Sequence, residues 1–143
     1  MHVGSAVAVA ATFVWLGMVV AISFVEAPLK FRAPGVTLQV GLGIGRLVFR
    51  ALNAAEAVLA VVVIAGLVLG RGSTGAGWPA GVAVAALVLQ VLAVRPALAR
   101  RSKQVLAGAD GPRSRAHLGY VGLEVVKVIG LAGTGVLLLG GFA

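Results

Sequence analysis

The chain has 143 residues, of which 60% are hydrophobic and 11% charged, against about 45–50% apolar and about 25% charged in a soluble domain. That excludes an ordinary water-soluble protein and predicts one integral membrane domain over residues 1–143, with no room for a separate soluble one. Cysteine is absent, which excludes disulfides, thiolate metal sites, thiol redox chemistry and cysteine-borne lipid anchors; the net charge of +8 would suit nucleic acid, but nearly every basic residue ends an apolar stretch, where its partner is an anionic lipid headgroup instead.

A spanning helix needs about 20 mostly apolar residues, and four stretches qualify, at about 5–27, 45–69, 78–94 and 116–140. The fold class expected is all-α: a four-transmembrane-helix bundle. No Lys or Arg precedes the first stretch, so it reads as a retained span rather than a signal peptide. Ser23 and Glu26 lie at its end. The loop from Pro28 to Ile44 is long and partly apolar and is expected to lie along the interface. Its last part, Gly41-Leu-Gly-Ile-Gly45-Arg46, is read as opening the second helix. Alternating glycines with free amides at a helix amino terminus can hold an anion, a lipid phosphate more readily than a nucleotide; the plainer reading is an adaptable turn. The glycine-rich loop 70–77 is short, so helices two and three are expected to be antiparallel neighbours. The loop 96–115 is the most polar segment, and Pro96-Ala-Leu-Ala-Arg-Arg extends the third helix past the bilayer.

Orientation follows from the basic residues. Lys30, Arg32, Arg46 and Arg50 follow the first span; Arg95, Arg100, Arg101, Lys103, Arg113 and Arg115 follow the third; Arg71 alone is on the opposite side. The positive-inside rule places both basic loops in the cytoplasm and both termini outside. The expected location is the bacterial cytoplasmic (inner) membrane.

The spacing Arg46-x-x-Phe49-x-x-x-Asn53-x-x-Glu56 returns as His117-x-x-Tyr120-x-x-x-Glu124-x-x-Lys127. Offsets of 0, 3, 7 and 10 fall within an arc of roughly 80° on a helix. Pro28 and Arg32 also match Pro96 and Arg100. The chain therefore reads as two pseudo-repeated helical hairpins, related by an axis along the membrane normal; the competing explanation is chance likeness in a low-complexity apolar sequence.

Each stripe carries ionisable groups to mid-membrane depth, where they are costly and point to function. Lys127 lies ten residues past His117, roughly 15 Å in at about 1.5 Å per residue, and Glu56 has a matching depth. Pseudo-symmetry sets Glu56 opposite Lys127 and Asn53 opposite Glu124. Glu26 is expected to join from the first span. The candidate ligand- or ion-binding residues are Glu56, Glu124, Lys127, Asn53, Tyr120 and Glu26, with Arg46, Arg50 and His117 at the cavity mouth or on a lipid phosphate. Two carboxylates for one lysine leave a proton or a ligand to be accounted for, and Glu124 is expected to be the one left over. The bland alternative is a self-satisfied network that fixes helix register.

No metal site or cofactor is expected. His2 and His117 fall on opposite faces of the membrane and cannot share a ligand, and no zinc, iron–sulfur or hydrolase motif is present, so enzyme activity is not expected. Glycines in spans one and four allow close helix approach; they serve internal packing and a homo-oligomer equally.

The segment Phe24-Val-Glu-Ala-Pro-Leu-Lys-Phe-Arg32, with the later Arg46-Leu-Val-Phe-Arg-Ala-Leu-Asn53, resembles a family of bacterial four-helix membrane proteins of unknown function. The resemblance implies the architecture and nothing about substrate. Three functions stay open: a carrier or channel subunit coupled to protons, with a polar cavity facing the cytoplasm; a structural or accessory membrane subunit; and a quinone- or haem-binding redox subunit with Tyr120 and His117 at its pocket.

Overall fold

The computed structural model describes residues 2–70, 74–107 and 115–142. Arg71 and Arg113, both used above for orientation, lie outside the described residues. Among those described, four helices are long and apolar enough to cross a membrane: Val3–Arg32, Leu38–Leu69, Gly77–Gln104 and His117–Gly140. Large apolar side chains cover their outer faces. Leu47, Val58, Val61, Leu92, Ile129 and Val136 are all exposed. Such a continuous apolar surface suits lipid rather than water and fits a membrane protein.

The first and third helices are longer than hydropathy alone indicates, and for the same reason. Each meets a proline and passes through it. The first is α-helical over Val3–Val19, widens to a π-helix over Val20–Glu26, and continues as Ala27–Leu29. The third is α-helical over Gly77–Leu89, π-helical over Gln90–Val94, and α-helical again over Arg95–Leu106. The residue just before each proline closes a five-residue bond: Ala27 N–H donates to Ile22 O, and Arg95 N–H to Gln90 O. A proline ring clashes with the carbonyl four residues back and leaves it without a donor. Widening the turn relieves that contact without breaking the helix.

The second helix starts seven residues before the expected Gly45. Thr37 caps it, its hydroxyl accepting from Val40 N–H at 3.2 Å, as a threonine cap should. Pro34 and Gly35, at φ +80°, turn the chain just before. The alternating glycines therefore lie inside the helix. Gly41 N–H donates to Thr37 O at 2.9 Å, so the free-amide anion cradle does not form there. The glycines serve a close approach instead. A Cβ on Gly41 would collide with the Phe31 ring, and one on Gly45 would sit 2.9 Å from Lys30 Nζ. The end of the first helix is thus laid flat on the start of the second.

The helices pack as two hairpins. The first and second approach through Gly4, Gly66 and Gly70, where an added Cβ on Gly66 would lie 2.7 Å from Gly4 O. The third and fourth approach through Gly130, whose added Cβ would lie 2.9 Å from Pro79 O. Phe13 of the first helix fills the space that Gly135 leaves on the fourth. These contacts bring Gly4, Gly70, Thr74 and Gly141 to one end. Next to them is an apolar core drawn from all four helices, with Trp15, Val19, Val63, Ala83, Leu87 and Leu131. The polar residues occupy the other half, and beyond them the basic end exposes Arg32, Arg46, Arg50, Arg100 and Lys103.

Candidate functional site

Lys127 is the centre of the polar half. Its side chain is fully buried, as is that of Glu56, and Glu124 is 2% exposed. Lys127 Nζ lies 2.6 Å from Glu56 Oε1, 2.5 Å from Glu124 Oε1 and 2.7 Å from Gln90 Oε1. An ammonium has three N–H bonds, and each has an acceptor here. Glu124 is one turn before Lys127 on the fourth helix, which is why both reach the same point.

Gln90 and Trp15 complete the cluster. Gln90 Nε2 donates to Glu124 Oε1 at 2.6 Å and to Tyr120 O at 3.3 Å. Trp15 Nε1 donates to Glu56 Oε1 at 2.9 Å. Four helices thus meet through one polar knot: Trp15 from the first, Glu56 from the second, Gln90 from the third, and Glu124 with Lys127 from the fourth. Burying charge at this depth is tolerable only with such pairing.

Asn53 links the knot to the basic end. With its amide turned so that the nitrogen meets the carboxylate and the oxygen the guanidinium, Asn53 donates to Glu56 Oε2 at 2.9 Å and accepts from Arg95 Nη1 at 3.2 Å. Arg95 is half-buried. It supplies a second cation behind the two carboxylates, so the charge sum is not simply two carboxylates against one lysine.

Tyr120 is buried and meets Phe49 edge to face, ring centroids 5.7 Å apart. Its hydroxyl lies beside Asn53 but reaches no partner in hydrogen-bond geometry among the described residues. Glu124 Oε2 is likewise buried with no partner among them. Toward the basic end, Lys30 Nζ sits 5.6 Å from the Phe49 centroid and 5.5 Å from that of Phe31. Glu26 pairs with Lys30 at 3.9 Å and, among the described residues, shares no hydrogen bond or ion pair with the Lys127 knot. Arg46 and Arg50 are exposed, and His117 is half-buried at the start of the fourth helix.

The structure therefore brings together Glu56, Glu124, Lys127, Asn53 and Tyr120, while Glu26 pairs with Lys30 and Arg46 and Arg50 are exposed at the basic end. It adds Gln90, Trp15 and Arg95. Gln90 had a signal: it is the lone strongly polar side chain in the apolar run 78–94. Trp15 had a weaker one, because a mid-span indole N–H needs an acceptor. Arg95 was counted only among the residues that set orientation. An apolar groove of about 420 Å³, lined by Ile64, Leu67, Val68, Gly81, Val84 and Ala85 among others, opens between the second and third helices. It starts eight residues past Glu56, about 12 Å along the helix, and touches none of the polar groups. Comparison with protein-family models, curated proteins and solved structures found no match for this chain.

Proposed function

We propose that the chain is a small multi-pass membrane protein that binds an ion or small molecule at its intramembrane polar knot, as a proton-coupled carrier or a channel subunit. The observation that carries this reading is the gathering of Glu56 and Glu124 on a single fully buried lysine. Intramembrane ionisable groups of this kind mark ion and proton pathways. The positive-inside count puts the basic end in the cytoplasm and both termini outside, in the inner membrane of a bacterium, with anionic headgroups around the exposed arginines. In this conformation the knot is enclosed, so ligand access requires an opening movement at the basic end.

A duplicated hairpin belongs to the same proposal. The two π-segments, Val20–Glu26 and Gln90–Val94, end at the same offset before Pro28 and Pro96. Two pairs of equivalent stripe positions also meet across the bundle, Phe49 with Tyr120 and Glu56 with Lys127. Both facts support two related halves around a central axis.

A second reading is a structural or accessory subunit whose knot only fixes helix register. The complete use of the three Lys127 donors favours it. Uptake assays in proteoliposomes under a proton gradient separate the two. Wild type should show proton-linked uptake, and Glu124→Gln should lose it while staying folded. Wild type inert toward every cation and small solute tried, with Glu124→Gln unfolded, would leave the structural role.

A further inference from the structure

Every donor inside the knot is committed. Lys127 gives its three N–H bonds to Glu56, Glu124 and Gln90. Gln90 gives both of its own to Glu124 and Tyr120 O, and Trp15 gives its one to Glu56. Four carboxylate oxygens face these donors. Glu56 Oε1 and Oε2 and Glu124 Oε1 are all served, Glu56 Oε2 by Asn53. Glu124 Oε2 is not. An enclosed carboxylate oxygen without a donor is costly, above all when it carries charge, and a proton on that oxygen removes the charge without adding a heavy atom. One turn nearer the basic end, on the same helix face, the buried Tyr120 hydroxyl also lacks a partner among the described residues.

We propose that Glu124 Oε2 and the Tyr120 hydroxyl form a proton-exchange site, with the Phe49 ring as its cover at the basic end. This rests on the ion-binding reading above and specifies its ligand as a proton, taken up on one carboxylate and not the other. In the step, the Glu124 carboxylate becomes a carboxylic acid. Through one bridging water, the Tyr120 hydroxyl passes its proton to Oε2 and takes another from a hydronium on the basic side, which leaves as water. The phenol ends neutral, one proton has moved inward, and no bond to carbon changes.

The surroundings make the two states distinct. Around Glu124 are Lys127 and Tyr120 on its own helix, Glu56 from the second and Gln90 from the third; Asn53 and Arg95 stand behind Glu56, and Trp15 of the first helix reaches the cluster by way of Glu56. With the proton in place, one ammonium is matched by one carboxylate. With the proton gone, the knot holds two carboxylates against Lys127, and the balancing charge is Arg95, reached through Asn53. The route in is covered by one ring. Phe49 lies across Tyr120 and is held by the Lys30 ammonium, which rests in the space left by Gly45. Lys30 belongs to the short segment that ends the first helix, so movement of that segment uncovers Tyr120.

Infrared difference spectroscopy of the whole protein in phosphatidylcholine vesicles tests this, with pH steps in light and heavy water. A protonated-carboxyl band is expected in wild type and in Glu56→Gln, and is expected to vanish in Glu124→Gln. Tyr120→Phe should keep the band and slow its hydrogen–deuterium exchange; Phe49→Ala should speed it. If Glu124→Gln fails to fold, Glu124→Asp replaces it, which keeps the acid and shifts the band. A band that vanishes in Glu56→Gln and survives in Glu124→Gln would overturn the assignment, as would no band at any pH at which the protein is folded. Exchange unchanged by Tyr120→Phe would remove the tyrosine from the route. A Glu124 band without proton-linked uptake in the same vesicles would leave this site standing and remove transport.

Discussion

Glu56 on the second helix and Lys127 on the fourth meet at 2.6 Å, each with its side chain fully out of contact with solvent. Removing one partner of such a pair strands the other and typically costs about 3–5 kcal/mol. The two single changes should not be equal. Lys127→Met strands Glu56 and Glu124 together and takes the acceptor's donor from Gln90, whereas Glu56→Gln leaves Lys127 with Glu124 and Gln90. Thermal unfolding in detergent should therefore rank Lys127→Met as the more damaging, with the double mutant recovering part of its loss. Strict additivity of the two changes would mean that the pair does not couple.

Gln90 is the hub that ties the third helix to the fourth. Gln90→Leu leaves Lys127 short of an acceptor and Glu124 short of a donor, a loss expected at about 1–3 kcal/mol. Gln90→Glu should be worse, because it adds a third carboxylate around one ammonium. If Gln90→Leu melts at the wild-type temperature, the hydrogen bonds drawn here contribute nothing net.

Trp15→Phe keeps the ring in the core and removes only the N–H that reaches Glu56. A loss of about 1–2 kcal/mol is expected. The same variant leaves Trp78, which is 72% exposed, as the sole source of indole fluorescence. The buried component of the wild-type emission should disappear with the substitution; an unchanged spectrum would place Trp15 outside the core.

The glycines divide into two classes with opposite expectations. Gly66→Ala pushes a methyl into the backbone of Gly4 and should destabilise by about 1–3 kcal/mol. Gly81→Ala meets nothing within 4 Å and should be neutral or stabilising by up to about 1 kcal/mol, the helix-propensity difference. Melting curves of the two variants side by side check this, and a reversed order would contradict the helix pairing described.

Orientation is open to cysteine labelling on the intact membrane. Ser5→Cys and Thr74→Cys should react from the same side, because the contacts of Gly4 with Gly70 and of Gly141 with Thr74 place both near one end. Ser102→Cys should react from the other side, expected to be the cytoplasmic one. Labelling of Ser5 and Ser102 from a common side would undo the up-and-down arrangement.

The parts of this arrangement that follow helical periodicity were legible in the residues. Glu56, Asn53, Phe49 and their counterparts Lys127, Glu124 and Tyr120 share faces of unbroken α-helices, so a count of offsets sufficed. Arg95 was not legible. It stands five residues after Gln90, and five residues on an α-helix turn it about 140° away at about 100° per residue. The π-turn brings the two back to one face. The start of the second helix was hidden for another reason. Gly41, Gly43 and Gly45 carry the composition of a turn, and only the seating of Phe31 and Lys30 on them explains why the helix needs small residues there. Glu26 lies near the basic end of the first span, within one helical turn of Lys30, with which it pairs at 3.9 Å.

Each π-segment holds one residue more than an α-helix of the same rise would. Its length is therefore part of the fold's bookkeeping. Deleting a single amino acid between Gln90 and Val94 would let the third helix close up into regular α geometry. Arg95 would then stand four residues after Gln90, and four residues at about 100° each come within about 40° of a full turn, the face that the π-turn gives to the fifth residue now. Arg95 would keep its side of the helix, and the basic tail through Lys103 would keep its sector of the bilayer. The outer half of the helix, with Ala83 and Leu87 in the core, would be untouched. The same deletion in the regular α-helix between Ala83 and Leu87 would instead turn everything beyond it by about 100°. The π-segment is thus the one stretch of the third helix where a lone gap in an aligned sequence shortens without rotating.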